Sequence, residues 1–173
     1  MKIFTPQDGR HPANALARAG MIAALYVVLT MVFQAISFGP VQFRISEALM
    51  LLPALTVDAV PGLFIGCLLA NLLGHGLWYD VVFGSLATLI AAIFAYRWRK
   101  SPPLSAFSAV LFNGVIVGPV VYFAFVHAPG GTINWPALLS TMGTVALGEL
   151  VVCYALGLPM YHALKKLPEK VFH

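Results

Sequence analysis

The sequence predicts an all-α integral membrane protein, folded as one compact bundle of six transmembrane helices. Hydrophobic residues make up 60% of its 173 residues, and charged residues make up only 9%. The mean hydropathy is +0.88, and apolar runs of roughly 20 residues, the length that crosses a bilayer, recur along the chain. Because so few charged side chains could not cover a water-facing surface, we exclude a soluble globule.

Polar and proline-containing breaks divide the chain into six apolar segments. A polar tail, residues 1–12, precedes the first segment, which is too long for a signal peptide and has no clear cleavage site, so we expect it to be retained as a helix. The second segment is short, and Pro53 and Pro61 make its ends hard to place. We treat residues 1–173 as a single transmembrane domain. The predicted spans are about residues 13–37, 45–57, 60–75, 80–98, 104–127 and 136–164.

The positions of Lys and Arg predict which side of the membrane each terminus occupies. Six spans put both termini on one side, and cytoplasmic flanks collect positive charge. Arg44 is the only cation that falls on the other side. The remaining cations lie on the side of the termini, which we therefore expect to be cytoplasmic: Lys2, Arg10, Arg18, Arg97, Arg99, Lys100, Lys165, Lys166 and Lys170. This pattern predicts a multi-pass protein of a bacterial cytoplasmic (plasma) membrane.

Several kinds of chemistry have no motif in this chain. It lacks a phosphate-binding loop, a zinc-binding H-E-x-x-H helix and a G-x-S-x-G nucleophile elbow, so we expect no enzyme activity and no cofactor. The histidines have no partner at metal-ligand spacing, and we expect no metal site. Cys67 and Cys153 lie inside spans and are interpreted as small core residues. The basic pI follows from topogenic charge, so we infer no nucleic-acid binding.

One stretch, Gly39 to Leu49, places four polar side chains in this apolar chain. They are Gln42, Arg44, Ser46 and Glu47. Arg44 and Glu47 are three residues apart, so within a helix they would share a face and could pair. The six-span topology puts this stretch in the first external loop and the start of the second helix, where we expect it to cover a ligand pocket.

Glu149 lies near the middle of the last span, and Asn113 lies at a comparable depth in the fifth. A charged carboxylate at that depth costs several kcal/mol, so an intramembrane ionisable residue is by default a functional-site hypothesis. Two interpretations stay open. The pair either binds a ligand or forms a hydrogen bond that fixes helix packing.

Three further candidates fall on the external half of the predicted bundle. Asn71 comes near the end of the third span, and Trp78 and Asp80 follow in the next connection. Each has an ordinary alternative role, since Trp anchors at interfaces, Asn71 could bridge helices and Asp80 could cap a helix. Their convergence above Glu149 favours a site for a planar polar ligand.

Small residues recur at four-residue spacing on three spans, which predicts close helix contacts. Most of these contacts we assign to internal packing. The first-span stripe begins at the cytoplasmic end and could instead bind a separate partner. The three stripes are Ala15, Ala19 and Ala23; Gly62, Gly66, Ala70 and Gly74; and Gly84, Thr88 and Ala92.

The chain resembles the queuosine-precursor transporter family of QueT type, which are substrate-binding S components of energy-coupling factor (ECF) transporters. The resemblance runs from about Ala17 to Leu164. It is carried by V-Q-F-R-I-S-E-A-L with L-P at residues 41–53, P-G-L-F-I-G-C with Asn71, D-x-x-F-G-S-L from Asp80, and G-E-L with G-L-P around Glu149.

The resemblance implies a six-helix S-component fold with an outward-opening site and cytoplasmic termini. It implies as partners a coupling transmembrane subunit and two cytoplasmic ATPases, which would use the ATP. S components dock on the coupling subunit through an A-x-x-x-A pattern in the first helix, and Ala15, Ala19 and Ala23 fit that pattern. Toppling of the S component in the membrane would then release the ligand inward.

The implied ligand is a 7-deazaguanine queuosine precursor, queuine or queuosine. As our own hypothesis of roles, Glu149 or Glu47 would accept the ring N–H and exocyclic amine together. An amide of Gln42, Asn71 or Asn113 would read the ring carbonyl, while Trp78 or Phe43 stacks on the ring. Whether Arg44 and Glu47 touch the ligand or only each other stays open.

Two other functions remain as alternatives. The chain could be a self-sufficient secondary transporter of a small planar polar solute, coupled to protons through Glu149, or an S component for another vitamin-like ligand. An intramembrane enzyme is disfavoured because no nucleophile and base are paired in the sequence.

Overall fold

The computed structural model describes residues 12–38, 43–74, 78–128 and 130–168. Within these ranges the chain is helical and contains no strand, which confirms the predicted all-α class. One element is a 3₁₀ helix, Ile45–Ala54. A short helical turn, Gln34–Ser37, precedes it. The longer helices are α1 (Pro12–Val32), α2 (Ala59–Leu73), α3 (Asp80–Arg97), α4 (Pro102–Val126) and α5 (Trp135–Leu164).

Four helices, α1, α3, α4 and α5, are long and apolar enough to cross a membrane, with 21, 18, 25 and 30 residues. The 3₁₀ helix and α2 are shorter, at 10 and 15 residues. At about 2.0 and 1.5 Å of rise per residue, each is roughly 20 Å long, which is less than the ~30 Å of a hydrocarbon core. These two short elements lie where the second and third spans were predicted.

The 3₁₀ helix lies in the interior of the bundle. Every residue from Ser46 to Pro53 is buried, and the helix contacts α1, α2, α3, α4 and α5. Gly157 of α5 lets the two backbones approach, since a Cβ there would lie 2.7 Å from Leu51 Cδ1 and 3.0 Å from the Ala48 carbonyl oxygen. The first polar residues of the 3₁₀ helix are thereby held away from lipid.

Helices α1 and α2 pack through two small-residue stripes. A Cβ on Gly62 would lie 2.7 Å from the Ala19 carbonyl oxygen, and one on Gly66 would lie 3.0 Å from that of Ala23. Ala19 and Ala23 are buried, and Ala15 is half-buried. Ala19 and Ala23 therefore pack against α2 in the structure, and docking of a partner through this stripe stays a prediction.

An ion pair joins the first turns of α1 to the segment that precedes α2. The Arg18 Nε and Nη2 atoms each lie 2.7 Å from Asp58 Oδ2. Both side chains are mostly buried, with 16% of Arg18 and 9% of Asp58 exposed. At this depth the two charges compensate each other's loss of hydration.

Helices α3, α4 and α5 each contain π-helical turns. These turns span Asp80–Gly84, Asn113–Val117, Tyr122–Val126 and Val152–Gly157. Such turns concentrate at functional sites, because the extra residue redirects neighbouring side chains. Two of them begin at Asp80 and Asn113, both of which were candidate site residues.

Candidate ligand-binding site

A buried polar cluster occupies the interior between the 3₁₀ helix and its neighbours. The members come from five elements, and none has more than 8% of its surface exposed: Arg44, Glu47, Asn71, Asp80, Asn113 and Glu149. Arg44 interacts electrostatically with Glu47, Asp80 and Glu149. Six of the eight predicted ligand-binding residues are thus brought into one cluster.

Two glutamates form one part of this cluster. The Tyr26 hydroxyl of α1 donates to Glu47 Oε1, and Asn113 Nδ2 donates to Glu149 Oε1 at 2.9 Å. Cys153 links the two glutamate residues, since its Sγ lies 3.5 Å from the Glu47 carbonyl oxygen and 3.9 Å from Glu149 Oε2. Both carboxylates therefore have defined positions inside the bundle.

In the other part of the cluster, three polar side chains contact Cys67 of α2. Its sulfur accepts from Thr88 Oγ1 at 3.3 Å, from Asn71 Nδ2 at 3.5 Å and from Arg44 Nη1 at 3.7 Å. The Arg44 guanidinium also lies 5.4 Å from the centre of the Phe38 ring, a cation–π arrangement. Arg44 is thereby held between a thiol and an aromatic ring.

The sequence predicted that Arg44 and Glu47 could pair if both lay within one helix, and the structure does not show this pair. Both residues are described, and no ion pair joins them; Arg44 turns to Cys67, while Glu47 accepts from Tyr26. The reason is local, since Arg44 precedes the 3₁₀ helix in an extended conformation with φ −96° and ψ 97°. The two side chains therefore do not share a helical face.

Asn71 and Asp80 connect α2 to α3. Asn71 Nδ2 donates to the Asp80 backbone carbonyl at 3.1 Å. Asn71 therefore bridges two helices, which was the alternative role given for it from the sequence. A Cβ on Gly84 would lie 3.2 Å from Asn71 Nδ2 and 3.8 Å from Asp80 Oδ1. Glycine at this position keeps the space beside both polar groups open.

The cluster concentrates buried polar atoms that have no hydrogen-bond partner among the described residues. Such an atom costs about 1 to 3 kcal/mol, and native proteins contain few of them. Arg18 Nη2 also meets this criterion, but it lies in the ion pair with Asp58. Ser85 Oγ of α3 meets it too, but Ser85 is not one of the cluster residues. Five such atoms belong to the cluster: Arg44 Nη2, Glu47 Oε2, Asn71 Oδ1, Asp80 Oδ1 and Asn113 Oδ1. Such an arrangement is suited to hydrogen-bonding a polar ligand.

The two remaining predicted ligand contacts are not part of this cluster. Trp78 has 72% of its surface exposed and packs edge-on against Tyr79 at 5.3 Å, so its stacking on a ligand stays a prediction. Gln42 lies outside the described residues. Phe43, the other aromatic candidate, is half-buried beside Arg44 in sequence.

Sequence reasoning did not single out several buried residues around the cluster as site candidates. Tyr26 and Thr30 continue the buried face of α1 that holds Ala19 and Ala23. Cys67 precedes Asn71 by four residues, and Cys153 follows Glu149 by four, so each shares a helical face with a candidate. That spacing was the available signal. Among the described residues, no three His, Cys, Asp or Glu side chains are placed to hold a metal ion.

Comparison with known proteins shows the family to which this chain belongs. The family model described as "QueT transporter" matches residues 16–166, which is most of the chain. The chain belongs to the QueT transporter family. It is also 43% identical over 142 residues to a curated relative, "Queuosine precursor transporter QueT" of Lactococcus lactis subsp. cremoris (strain MG1363). The match covers 75% of this chain and 79% of the relative. No solved structure matches this chain significantly.

Membership of the QueT family confirms the resemblance found in the sequence. The chain belongs to a transporter family and has several helices able to cross a bilayer. It is therefore a multi-pass transport protein of the cell membrane. The curated relative is a transporter, which is not an enzyme class.

Proposed function

We propose that this chain is the substrate-binding membrane subunit, or S component, of an ECF-type importer for a queuosine precursor. The ligand would be a 7-deazaguanine base, queuine or queuosine, bound from outside and released inside. The name of the Lactococcus relative supports this ligand class. The observation that carries the proposal is the set of five polar atoms in the buried cluster that have no hydrogen-bond partner among the described residues.

The chemistry of the cluster fits a guanine-type edge. Such an edge presents a ring N–H and an exocyclic amine side by side, and a carboxylate accepts both at once. Glu47 Oε2 is unpartnered among the described residues, and Glu149 Oε2 has only a long contact with the Cys153 thiol. Arg44 Nη2 supplies a donor for the ring carbonyl.

An aromatic residue would complete the site by stacking on the ring. With Trp78 at the surface, the candidates are Phe38, which lies beside the Arg44 guanidinium, and Phe43, which precedes Arg44 in sequence. Stacking of a base on an aromatic ring contributes about 1 to 3 kcal/mol in nucleic-acid complexes. Phe38 is our first choice, since it already contacts a cluster residue.

Six spans with cytoplasmic termini remain part of the proposal, with the cluster towards the external half. The distribution of Lys and Arg supports this orientation. The short 3₁₀ helix would enter from outside, so that Arg44 and Glu47 at its beginning lie near the external mouth. The Arg18–Asp58 pair would then close the cytoplasmic end.

Import would require a coupling subunit and two ATPases, since the chain has no phosphate-binding loop. Docking through α1 would use a face other than Ala19 and Ala23, which α2 covers. Ala17, Gly20 and Ala24 are exposed on α1, and a Cβ on Gly20 would meet no atom within 4 Å. A second helix could approach this face closely.

Two assays test this proposal. In calorimetry, the purified chain in lipid nanodiscs is expected to bind a 7-deazaguanine saturably. In proteoliposomes, uptake is expected only when a coupling subunit and ATPases are present with ATP. Uptake by the chain alone, driven by a pH gradient, would instead support a proton-coupled carrier.

A further inference from the structure

Two side chains of α1 hold the beginning of the 3₁₀ helix. The Tyr26 hydroxyl donates to Glu47 Oε1, and Thr30 Oγ1 lies 2.8 Å from Ser46 Oγ. Tyr26 and Thr30 are both fully buried. The two contacts join the same pair of helices, but the first ends on a carboxyl group and the second on a hydroxyl.

Close packing sets the position of the Tyr26 side chain. Its Cβ faces Gly66 of α2, where an added Cβ would lie 2.8 Å away. One turn further along α1, Thr30 Oγ1 donates to the Tyr26 carbonyl at 2.8 Å. Because the aromatic ring is rigid and its base is fixed against α2, the hydroxyl occupies a defined point in the interior.

Glu47 has one side-chain oxygen that is held and one that is not. Oε1 accepts from Tyr26, whereas Oε2 is buried and has no hydrogen-bond partner among the described residues. Glu149 differs, since its Oε1 accepts from Asn113 and its Oε2 lies 3.9 Å from the Cys153 thiol. A carboxyl group held by one oxygen presents the other in a fixed direction. Of the two glutamates, Glu47 therefore has the oxygen that a ligand donor can use without displacing another contact.

We infer that Tyr26 is a positioning residue for ligand specificity: through its bond to Oε1, it aims Glu47 Oε2 at the exocyclic amine of a guanine-type edge. This inference rests on the proposed function. It gives α1 a part in recognising the ligand, although Tyr26 itself does not touch it. Without the Tyr26 hydroxyl, Glu47 would keep its place in the 3₁₀ helix, but its carboxyl group could rotate about the side-chain bonds.

The test measures a preference between two ligands and not a single affinity. The ligands are 7-deazaguanine and 7-deazahypoxanthine, which share the ring N–H and the ring carbonyl, while the second lacks the exocyclic amine. We expect the purified wild-type chain in nanodiscs to bind 7-deazaguanine at least about tenfold more tightly, because the second ligand leaves a buried acceptor unpaired. Calorimetry gives both affinities, with displacement of bound 7-deazaguanine for the weaker ligand.

Tyr26→Phe should remove most of this preference, because phenylalanine keeps the ring and loses the hydroxyl that aims Glu47. We expect the preference to fall below about threefold, mainly through weaker binding of 7-deazaguanine. Thr30→Val is the matched variant, since it removes the other hydroxyl contact between the same two helices. It should lower the apparent Tm and keep the preference of about tenfold.

Glu47→Gln gives a second measurement that does not depend on whether Tyr26→Phe folds. The amide has a single acceptor oxygen. With that oxygen on the Tyr26 hydroxyl, the NH₂ group faces the ligand amine, so the preference should again fall below about threefold. A Glu47→Gln protein that keeps the wild-type preference overturns the inference.

The remaining outcomes separate the inference from the proposed function. If Tyr26→Phe weakens both ligands equally, or if Thr30→Val removes the preference to the same extent, Tyr26 has a packing role alone and the inference is overturned. Equal binding of the two ligands by the wild-type chain also overturns it and leaves the proposed function standing. If neither ligand binds the folded wild-type chain, the proposed function itself fails.

Discussion

Asn113 of α4 donates a hydrogen bond of 2.9 Å to Glu149 of α5, and its own side-chain oxygen is buried with no partner among the described residues. The sequence left two interpretations of this pair open, helix packing and ligand binding, and this contact bears on both. The bond fixes how two helices pack, and it also aims an amide oxygen and a carboxylate at the same interior. The hydrogen bond shows the packing role, and ligand binding by the same pair stays a prediction.

The first prediction concerns the charge of Glu149. Glu149→Gln keeps an oxygen that can accept from Asn113 but removes the carboxylate, so a charge-assisted bond to the ligand becomes an ordinary one. We expect affinity for a 7-deazaguanine to fall by about 1.5 to 3 kcal/mol, measured by calorimetry in nanodiscs.

Ser140→Ala is the matched control for this variant. Ser140 is exposed on the same helix and bonds only to the Ala137 carbonyl at 2.8 Å, so its loss should leave affinity unchanged. A folded Glu149→Gln protein with wild-type affinity would remove Glu149 from the site.

The second prediction concerns the contact between α1 and α2. In Gly66→Ala the new Cβ would lie 2.8 Å from Tyr26 Cβ and 3.0 Å from the Ala23 carbonyl oxygen, so the helices must separate. We expect a loss of about 1 to 3 kcal/mol, the usual cost of overpacking, seen as a lower apparent Tm in detergent. Because Tyr26 also donates to Glu47, ligand affinity should fall as well.

Gly143→Ala provides the comparison, since a Cβ there meets no atom within 4 Å. Alanine favours helix over glycine by about 0.5 to 1 kcal/mol, so this variant should be as stable as wild type or slightly more so. Similar destabilisation of both variants would mean that the α1–α2 contact does not set the effect.

The third prediction concerns the Arg18–Asp58 ion pair. Asp58→Asn should leave the guanidinium poorly compensated and lower the apparent Tm, and Arg18→Met should do the same to the carboxylate. The double variant should be more stable than the sum of the two losses predicts, by about 1 to 3 kcal/mol, because neither charge is left alone. Additive losses would show that the two charges stabilise the fold independently.

The fourth prediction concerns partner docking by α1. Gly20→Leu should weaken co-purification with a coupling subunit and leave ligand affinity unchanged, since position 20 faces away from the protein. Ala19→Leu should lower the apparent Tm, because Ala19 contacts Gly62. If Ala19→Leu blocks assembly at normal Tm while Gly20→Leu has no effect, docking uses the original stripe.

Much of this architecture was predictable from the sequence. The four long helices follow from apolar length, because a bilayer sets a minimum number of residues, and the structure places them within a few residues of the predicted spans. The polar candidates were found because a buried charge is costly, so six of the eight fall in one cluster. These predictions rest on composition and on the free-energy cost of burying a charge.

Other features depended on tertiary contacts that no local pattern carries. Residues 45–54 form a 3₁₀ helix, where the apolar run alone fits an α-helix equally well. Ala19 and Ala23 match a partner-docking pattern, yet the facing Gly62 and Gly66 decide that they pack internally. Trp78 suits either an interface or a stacking role, and its exposed position favours the first.

The most direct test of whether this chain itself binds the ligand is calorimetry with 7-deazaguanine ligands. It uses the purified wild-type chain in nanodiscs, without any ATPase. We expect saturable binding with one site per chain, and an affinity weaker by about 1.5 to 3 kcal/mol in Glu149→Gln. A folded chain that shows no heat and no thermal shift with any deazaguanine would contradict it.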